Sequence, residues 1–403
     1  MKSAKYEREI SVSQQKKGVW NVSYKGRYFQ VNDITKHLII CIIKGLSNED
    51  TLHSVSTKFR DIRLEHSDID LVRKKIESIE ENHICHKSAY IKFKKTLVRL
   101  EEKRCTTLLK RLSSLFDTKV VVVVMATFFS LLLLRHRDLF CVNRHELFAT
   151  IKSNPFLVLL YIVISIGIIF IHEMGHAVAS ERYKVSPKEI GFGFYLYFPV
   201  FFTDVSKSWM ATRRQRIVID VAGFYFQIIS MTILLLFSFL YAMPSHILFA
   251  IILDNLIVIV YNMNPLFRFD GYWIFSDIFG ITNLRNKSYF AIAEIVLWIG
   301  AKFRQCNQRE FSYPILVYLY SCISLLFVFT MVSTFVIFAF RRLVTLISML
   351  MQNSIPSDNS IWIFLISTIL LFVGVYFSSI SVIQTTNTIK KYVLQLRKES
   401  SID

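Results

Sequence analysis

Five residues of this chain have the types and spacing to share one piece of chemistry: His172, Glu173, His176, Asn264 and Asp270. The run His172-Glu173-Met174-Gly175-His176 reads H-E-x-x-H. On a helix, residues four apart lie on one face, so both imidazoles can reach a single Zn2+. Glu173 lies beside them, placed to take a proton from an attacking water and pass it onward. The bland alternative is a hydrogen-bonded His/Glu cluster at the end of an apolar segment. Ionisable groups there are costly unless buried together and used, which favours the metal reading.

Two histidines leave a catalytic zinc site short of a third protein ligand and an open position. Glu181 follows His176 by only five residues, and Glu189 leads into a Gly-aromatic run, so neither has a persuasive pattern. Asn264-Pro265-Leu266-Phe267-Arg268-Phe269-Asp270-Gly271 is better. There Asp270 offers a hard carboxylate oxygen after a helix-breaking Pro, and irregular backbone at membrane depth is tolerated only where it is buried or lines a wet cavity. The Asn264 amide could donate to an oxyanion, or simply mark the helix stop before Pro265; both can hold. Asp204 and Asp220 are expected to pair with the basic cluster Arg213 to Arg216. Gly223 reads as a close-packing glycine with no catalytic role.

The elements that must position these groups are apolar helices. Of 403 residues, 53% are hydrophobic, mean hydropathy is +0.41, and Phe (35) far outnumbers Gly (12) and Pro (7). That composition belongs to a membrane protein in contact with the lipid bilayer. Apolar runs cover 120–134, 156–171, 217–241, 247–263, 315–340 and 361–381, predicting about six transmembrane helices. The first run would cover only about 22 Å of a roughly 30 Å hydrocarbon core, so its ends must extend or the bilayer must thin. Residues 289–303 are short and read as interfacial. The second run leads straight into His172, and the fourth ends at Asn264.

The net charge of +18 collects before residue 115, between apolar runs and at the C-terminus. Six spans place both basic termini on one side, cytoplasmic by the positive-inside rule, although Arg341 and Arg342 then fall outside. No aromatic-basic interleaving accompanies the charge, which excludes nucleic acid as a partner. Six scattered cysteines read as unpaired, and His83-Ile84-Cys85-His86 lacks residues to complete a metal site. The polar N-terminus shows no cleavable signal peptide.

Residues 1–117 form a water-soluble segment, expected as a domain apart from 118–403. A hairpin, Trp20–Tyr24 and Tyr28–Val31 about Lys25-Gly26-Arg27, precedes helices at 35–43, about 48–58, and 67–81 with Ser67 as N-cap. A basic helix over about 92–115 is expected to approach the membrane surface. Between the two site motifs, 190–203 reads as a membrane-dipping hairpin whose edge could hold an extended substrate by β-addition. The fold class expected is mainly α and polytopic, with a small N-terminal α+β domain of winged-helix-like shape and this membrane-associated hairpin.

H-E-x-x-H at the end of one span, with N-P-x-x-x-x-D-G after a later one, resembles the site-2 protease family of intramembrane zinc metalloproteases. Phe201-Phe202-Thr203-Asp204-Val205-Ser206, Arg213-Arg214-Gln215-Arg216 and the run from Asn264 to Trp273 are similar to its bacterial peptide zinc metalloprotease branch, found beside ribosomally made, modified peptides. The resemblance covers 156–290, the core of the expected protease domain; later spans match only in hydropathy. It implies zinc held by His172, His176 and Asp270, Glu173 as general base, and Asn264 positioning substrate or the tetrahedral intermediate. It implies a plasma-membrane location and a membrane-associated or ribosomally synthesised precursor peptide as substrate. Residues 1 to about 100 resemble, loosely, the small domains that bind leader peptides. Two other readings stand beside this one: a signalling protease cutting a transmembrane regulator, and a metal transporter or export component. The first wants a screening domain and the second repeated polar half-helices; neither is visible. The particular peptide, its cleaved bond and the oligomeric state are not legible in the sequence.

Overall fold

The structure is a computed structural model that describes residues 10–16, 18–24, 27–59, 64–81, 91–136, 154–195, 198–240, 245–303, 311–351 and 358–399. It is mainly helical, with two small three-stranded sheets. Its chain divides into two units, Met1–Ile278 and Phe279–Asp403, and the candidate site lies wholly in the first.

The first sheet holds β1 (Ile10–Lys16), β2 (Val19–Tyr24) and β3 (Arg27–Asn32), antiparallel in that order. The expected hairpin is β2–β3, while β1 is an additional strand whose polar alternation (Ser11, Ser13) hid it. Lys25 and Gly26 lie outside the described residues, as do His83, Cys85 and His86. Side chains alternate across a strand, and β2 is buried on both faces. Val22 and Tyr24 enter a core with Leu38, Ile42, Val55 and Ile69, while Asn21 points the other way. Three helices close that core: α1 (Asp33–Ile43), α2 (Asn48–Lys58) and α3 (His66–Glu81). Asn32 and Ser47 cap the first two, accepting from Thr35 N at 2.8 Å and Asp50 N at 3.1 Å. Ser67 is not a cap: α3 begins at His66, and the Asp68 carboxylate reaches back to Glu65 N at 3.0 Å.

The basic helix expected over 92–115 is instead a strand followed by a shorter helix, β4 (Ile91–Arg99) and α4 (Lys103–Leu112). The reason is pairing. Ile91, Phe93, Thr96 and Val98 are strand formers, and the hairpin β5 (Glu189–Tyr195) and β6 (Phe198–Thr203) offers an open edge to which β4 pairs antiparallel. Lys94 and Lys95, both exposed, then put charge on the new edge strand. The second sheet thus runs β4-β5-β6 and joins chain on either side of residue 117.

After a 3-10 turn (Ser113–Phe116) come α5 (Thr118–Leu134), α6 (Pro155–Arg182), a second 3-10 turn (Ser206–Met210), α7 (Arg213–Leu240), α8 (Ser245–Asn262) and α9 (Asp270–Phe279). The second unit holds α10 (Leu284–Phe303), α11 (Ile315–Met351) and α12 (Asp358–Glu399). Among the described residues, three helices are long and apolar enough to cross a membrane: α6, α7 and α11. A fourth arises if α4, its 3-10 turn and α5, bent by 70°, count as one span. That is fewer than the six expected. α5 and α8 are short, and the run at 361–381 falls where many α12 side chains are outside the described residues.

α6 starts cleanly, with Pro155 in its first turn and Asn154 as cap. It crosses α7 with backbone against backbone: a Cβ on Gly175 would stand 2.4 Å from Ala222 O. Ala177, Val178, Tyr225 and Phe226 fill the space around that crossing. Phe128, Leu131, Met231, Leu235, Leu248 and Ile252 fill the space further along.

Candidate metal centre

The crossing of α6 and α7 places His172 and His176, both buried, beside the first residue of α9. His172 Nε2 lies 2.9 Å from Asp270 Oδ2, His176 Nε2 lies 3.5 Å from that same oxygen, and the two Nε2 atoms are 3.1 Å apart. Glu173 joins them: His172, Glu173 and His176 bring ligand atoms within 4.8 Å of one another, a cluster able to hold a metal ion.

The Nδ1 contacts decide which ring nitrogens are free to face the cluster. His176 Nδ1 faces the backbone carbonyl of Ile219 at 2.8 Å, and a carbonyl only accepts, so Nδ1 carries the hydrogen. His172 Nδ1 faces Gln227 Oε1 at 2.8 Å and carries its hydrogen likewise. A neutral imidazole has one N–H, so both Nε2 atoms present lone pairs. Two such lone pairs and a carboxylate oxygen converge on one point, an arrangement that a metal ion or a shared proton would satisfy. The donor set therefore fits a divalent ion.

The surroundings make room for that convergence. A Cβ on Gly223 would stand 2.5 Å from His172 Nε2 and 2.7 Å from His176 Nε2. The residue read as a packing glycine therefore clears the ligand atoms themselves. Arg216, Ile219, Gly223 and Gln227 recur at three or four residues along α7, so one helical face carries all four. Arg216 closes the arrangement: its Nε and Nη2 donate to Asp277 Oδ2 and Oδ1 at 2.8 and 2.6 Å. This buried bidentate pair ties the start of α7 to α9 and so to Asp270.

Asp270 is delivered by a tight turn. Asn264 Oδ1 accepts from Leu266 N at 2.9 Å, stopping the chain after α8. Beyond it the backbone folds back so closely that a Cβ on Gly271 would meet Met263 O at 2.1 Å. Asn264 thus shapes the loop through its oxygen, and its amide nitrogen is not bound to the histidines. Glu173 is held from the second sheet: Thr203 Oγ1, at the end of β6, lies 2.8 Å from Glu173 Oε2 and 2.9 Å from its backbone oxygen.

The other acidic candidates are engaged elsewhere. Glu181 lies 3.7 Å from Lys110 Nζ, and Glu189 accepts from Thr96 Oγ1 at 2.6 Å. Asp204 does not pair with the arginine cluster; it accepts from Ser206 and lies 3.7 Å from Lys188 Nζ. Burial pushes the Asp204 carboxyl up, but the Ser206 hydrogen bonds and Lys188 outweigh this and hold it below the usual range. The carboxylate paired with Arg216 is Asp277. Sequence reasoning missed Gln227, Thr203 and Asp277. Gln227 alone carried a signal, as an amide inside the apolar run 217–241.

The N-terminal sheet is seated close by. Asn21 Nδ2 donates to Trp209 O at 2.8 Å and Ser13 Oγ to Met210 O at 2.5 Å, both in the turn that follows β6. The Arg216 guanidinium lies 5.0 Å from the Trp209 ring. No protein-family model matches the chain, and no curated protein or solved structure matches it either.

Proposed function

We propose that this protein is a zinc-dependent peptide-bond hydrolase of the site-2 protease type. It would work in a bacterial plasma membrane that it crosses several times, with both termini cytoplasmic. The observation that carries the reading is the convergence of His172 Nε2, His176 Nε2 and Asp270 Oδ2, with the Glu173 carboxylate alongside. Ligand atoms around a tetrahedral zinc with bonds of 2.0–2.1 Å stand about 3.3 Å apart. The three separations here, 2.9, 3.1 and 3.5 Å, bracket that value.

Zinc, when bound, polarises a carbonyl and lowers the pKa of water to about 7. The chain's own residues do the rest. Glu173 takes a proton from the attacking water and returns it to the leaving amine. Thr203 holds one of its carboxylate oxygens, which leaves the other to turn toward the substrate. The Asn264 amide, its oxygen already used in the turn, has N–H groups to offer a developing oxyanion. β6 is an outer strand of its sheet and ends at Thr203, so a peptide added along it would be led in extended form toward Glu173.

The substrate class is a membrane-associated or ribosomally synthesised precursor peptide. Glu173→Gln tests the chemistry, measured as cleavage of a co-expressed precursor and as zinc content. Cleavage should fall by about 10^2- to 10^4-fold with zinc retained. Undiminished function in that variant would favour a transporter or scaffold instead.

Residues β1 to α3 would present the precursor through its leader peptide. Deleting residues 1–81 should weaken precursor cleavage while zinc content holds, and unchanged cleavage would refute the role. Cutting at 100 would be a poorer test, because it removes β4 from the sheet that carries Thr203.

A further inference from the structure

The hydrogen bonds behind His172 continue past Gln227 into a third helix. Gln227 Nε2 lies 3.5 Å from Asn255 Oδ1, and Asn255 Nδ2 donates to Ile251 O at 2.8 Å, one turn back on α8. Gln227 is 0% exposed and Asn255 1%, so neither carboxamide has water to fall back on. Resting on the metal reading above, we propose that Asn255 is a positioning residue of the metal centre. Through Gln227 it holds His172 in the tautomer that directs a lone pair at the ion.

A glutamine amide has two unlike ends. With Oε1 toward His172, the imidazole keeps its hydrogen on Nδ1 and presents Nε2 as a ligand. Turned over, the amide would aim N–H at Nδ1, and the ring would have to carry its hydrogen on Nε2, where it blocks coordination. Nothing within Gln227 chooses between these two states. The choice comes from Asn255, whose own orientation is forced: Ile251 O only accepts, so Asn255 must give it Nδ2. That leaves Oδ1 facing Gln227, which must answer with Nε2, and Oε1 is left for His172. The sequence of choices starts at a helix-backbone carbonyl that cannot rotate. His176 needs no such device, because its Nδ1 already faces a backbone oxygen directly. One ligand is fixed by main chain at first hand and the other at third hand.

The test measures zinc affinity of the full-length protein in detergent by competition with a chromophoric chelator. Gln227→Leu should weaken zinc by about 10- to 100-fold, the usual cost of losing an outer-shell partner. Asn255→Leu should weaken it by less than that. Gln227→Glu should bind more tightly than Gln227→Leu, because either carboxylate oxygen accepts from Nδ1 and the tautomer no longer needs Asn255, whose Oδ1 the second oxygen then faces. The deciding variant is therefore the double one. Asn255→Leu added to Gln227→Glu should cost nothing further, whereas a packing role would weaken zinc equally in both backgrounds and overturn the proposal. Wild-type affinity in Asn255→Leu would overturn it too. Should that variant not fold, Asn255→Ala removes the relay with less steric change and should weaken zinc likewise; wild-type affinity there refutes the relay. Failure of the wild type to bind zinc would sink the metal reading itself. Zinc bound equally by every variant would remove the roles of Gln227 and Asn255 and leave the metal reading standing.

Discussion

Replacing Asp270 with Ala is expected to strip the metal from the protein while leaving both histidines and the fold in place. Asp270 Oδ2 is the corner of the donor triangle shared by His172 and His176, at 2.9 and 3.5 Å. Removing it leaves two neutral imidazole lone pairs 3.1 Å apart with no anionic partner between them. A direct ligand should cost more than the roughly 10- to 100-fold that outer partners do, so the variant should retain little zinc after dialysis against a weak chelator. Cleavage should disappear with it, because Glu173 alone has no activated water to deprotonate. The scaffold should survive, for α9 is anchored independently by the bidentate Arg216–Asp277 pair and by the close approach of Gly271 to Met263 O. Zinc quantification beside thermal unfolding in detergent separates the two effects. Full zinc occupancy in Asp270→Ala would show that the third ligand lies elsewhere, Glu173 being the remaining carboxylate of the cluster.

The candidate ligands were legible because their spacing is local or their loop is marked. His172 and His176 sit four apart on one helix, and Asp270 follows a proline that ends another. The second sheet was half legible. Its hairpin β5–β6 showed as a Gly-broken aromatic run, but β4 lies about ninety residues earlier in lysine-rich chain that reads equally well as a basic helix. Only an open strand edge, a tertiary fact, decides between those states. The same limit hid Asp277 behind Asp204 and Asp220. Three carboxylates compete for Arg216 in the sequence, and the choice rests on where α9 returns to α7. Among the described residues the number of spans was legible only in part. Apolar composition marks candidates, but α5 has 17 residues and α8 has 18, and length in a helix is fixed by what breaks it. Thr203 carried no signal beyond its place in the 201–206 run, since a threonine ending a strand is ordinary until the carboxylate opposite it is known.

Gly223→Ala should be as damaging as losing a ligand, though alanine is the better helix former by about 1 kcal/mol. The added methyl would stand 2.5 Å from His172 Nε2 and Cε1 and 2.7 Å from His176 Nε2. Real Cβ atoms do not approach so closely, so something must move. The rings cannot simply swing away, because each is held at Nδ1 by a bond of 2.8 Å, to Gln227 and to Ile219 O. Nor can α7 step back as a body, since Gly175 lets Ala222 O rest directly on α6 and Arg216 grips α9. Either the metal geometry or the helix crossing must yield, and both outcomes end metal binding at full strength. Gly167 supplies the control. It lies in α6, the partner helix in the crossing, a Cβ there would meet nothing within 4 Å, and Gly167→Ala should keep zinc and cleavage at wild-type levels. Expressed side by side, the two variants differ only in where one methyl is placed. Equal zinc content in both would mean that the α6–α7 crossing is looser than its backbone contacts imply. It would also mean that the two histidines do not converge as tightly as a single ion requires.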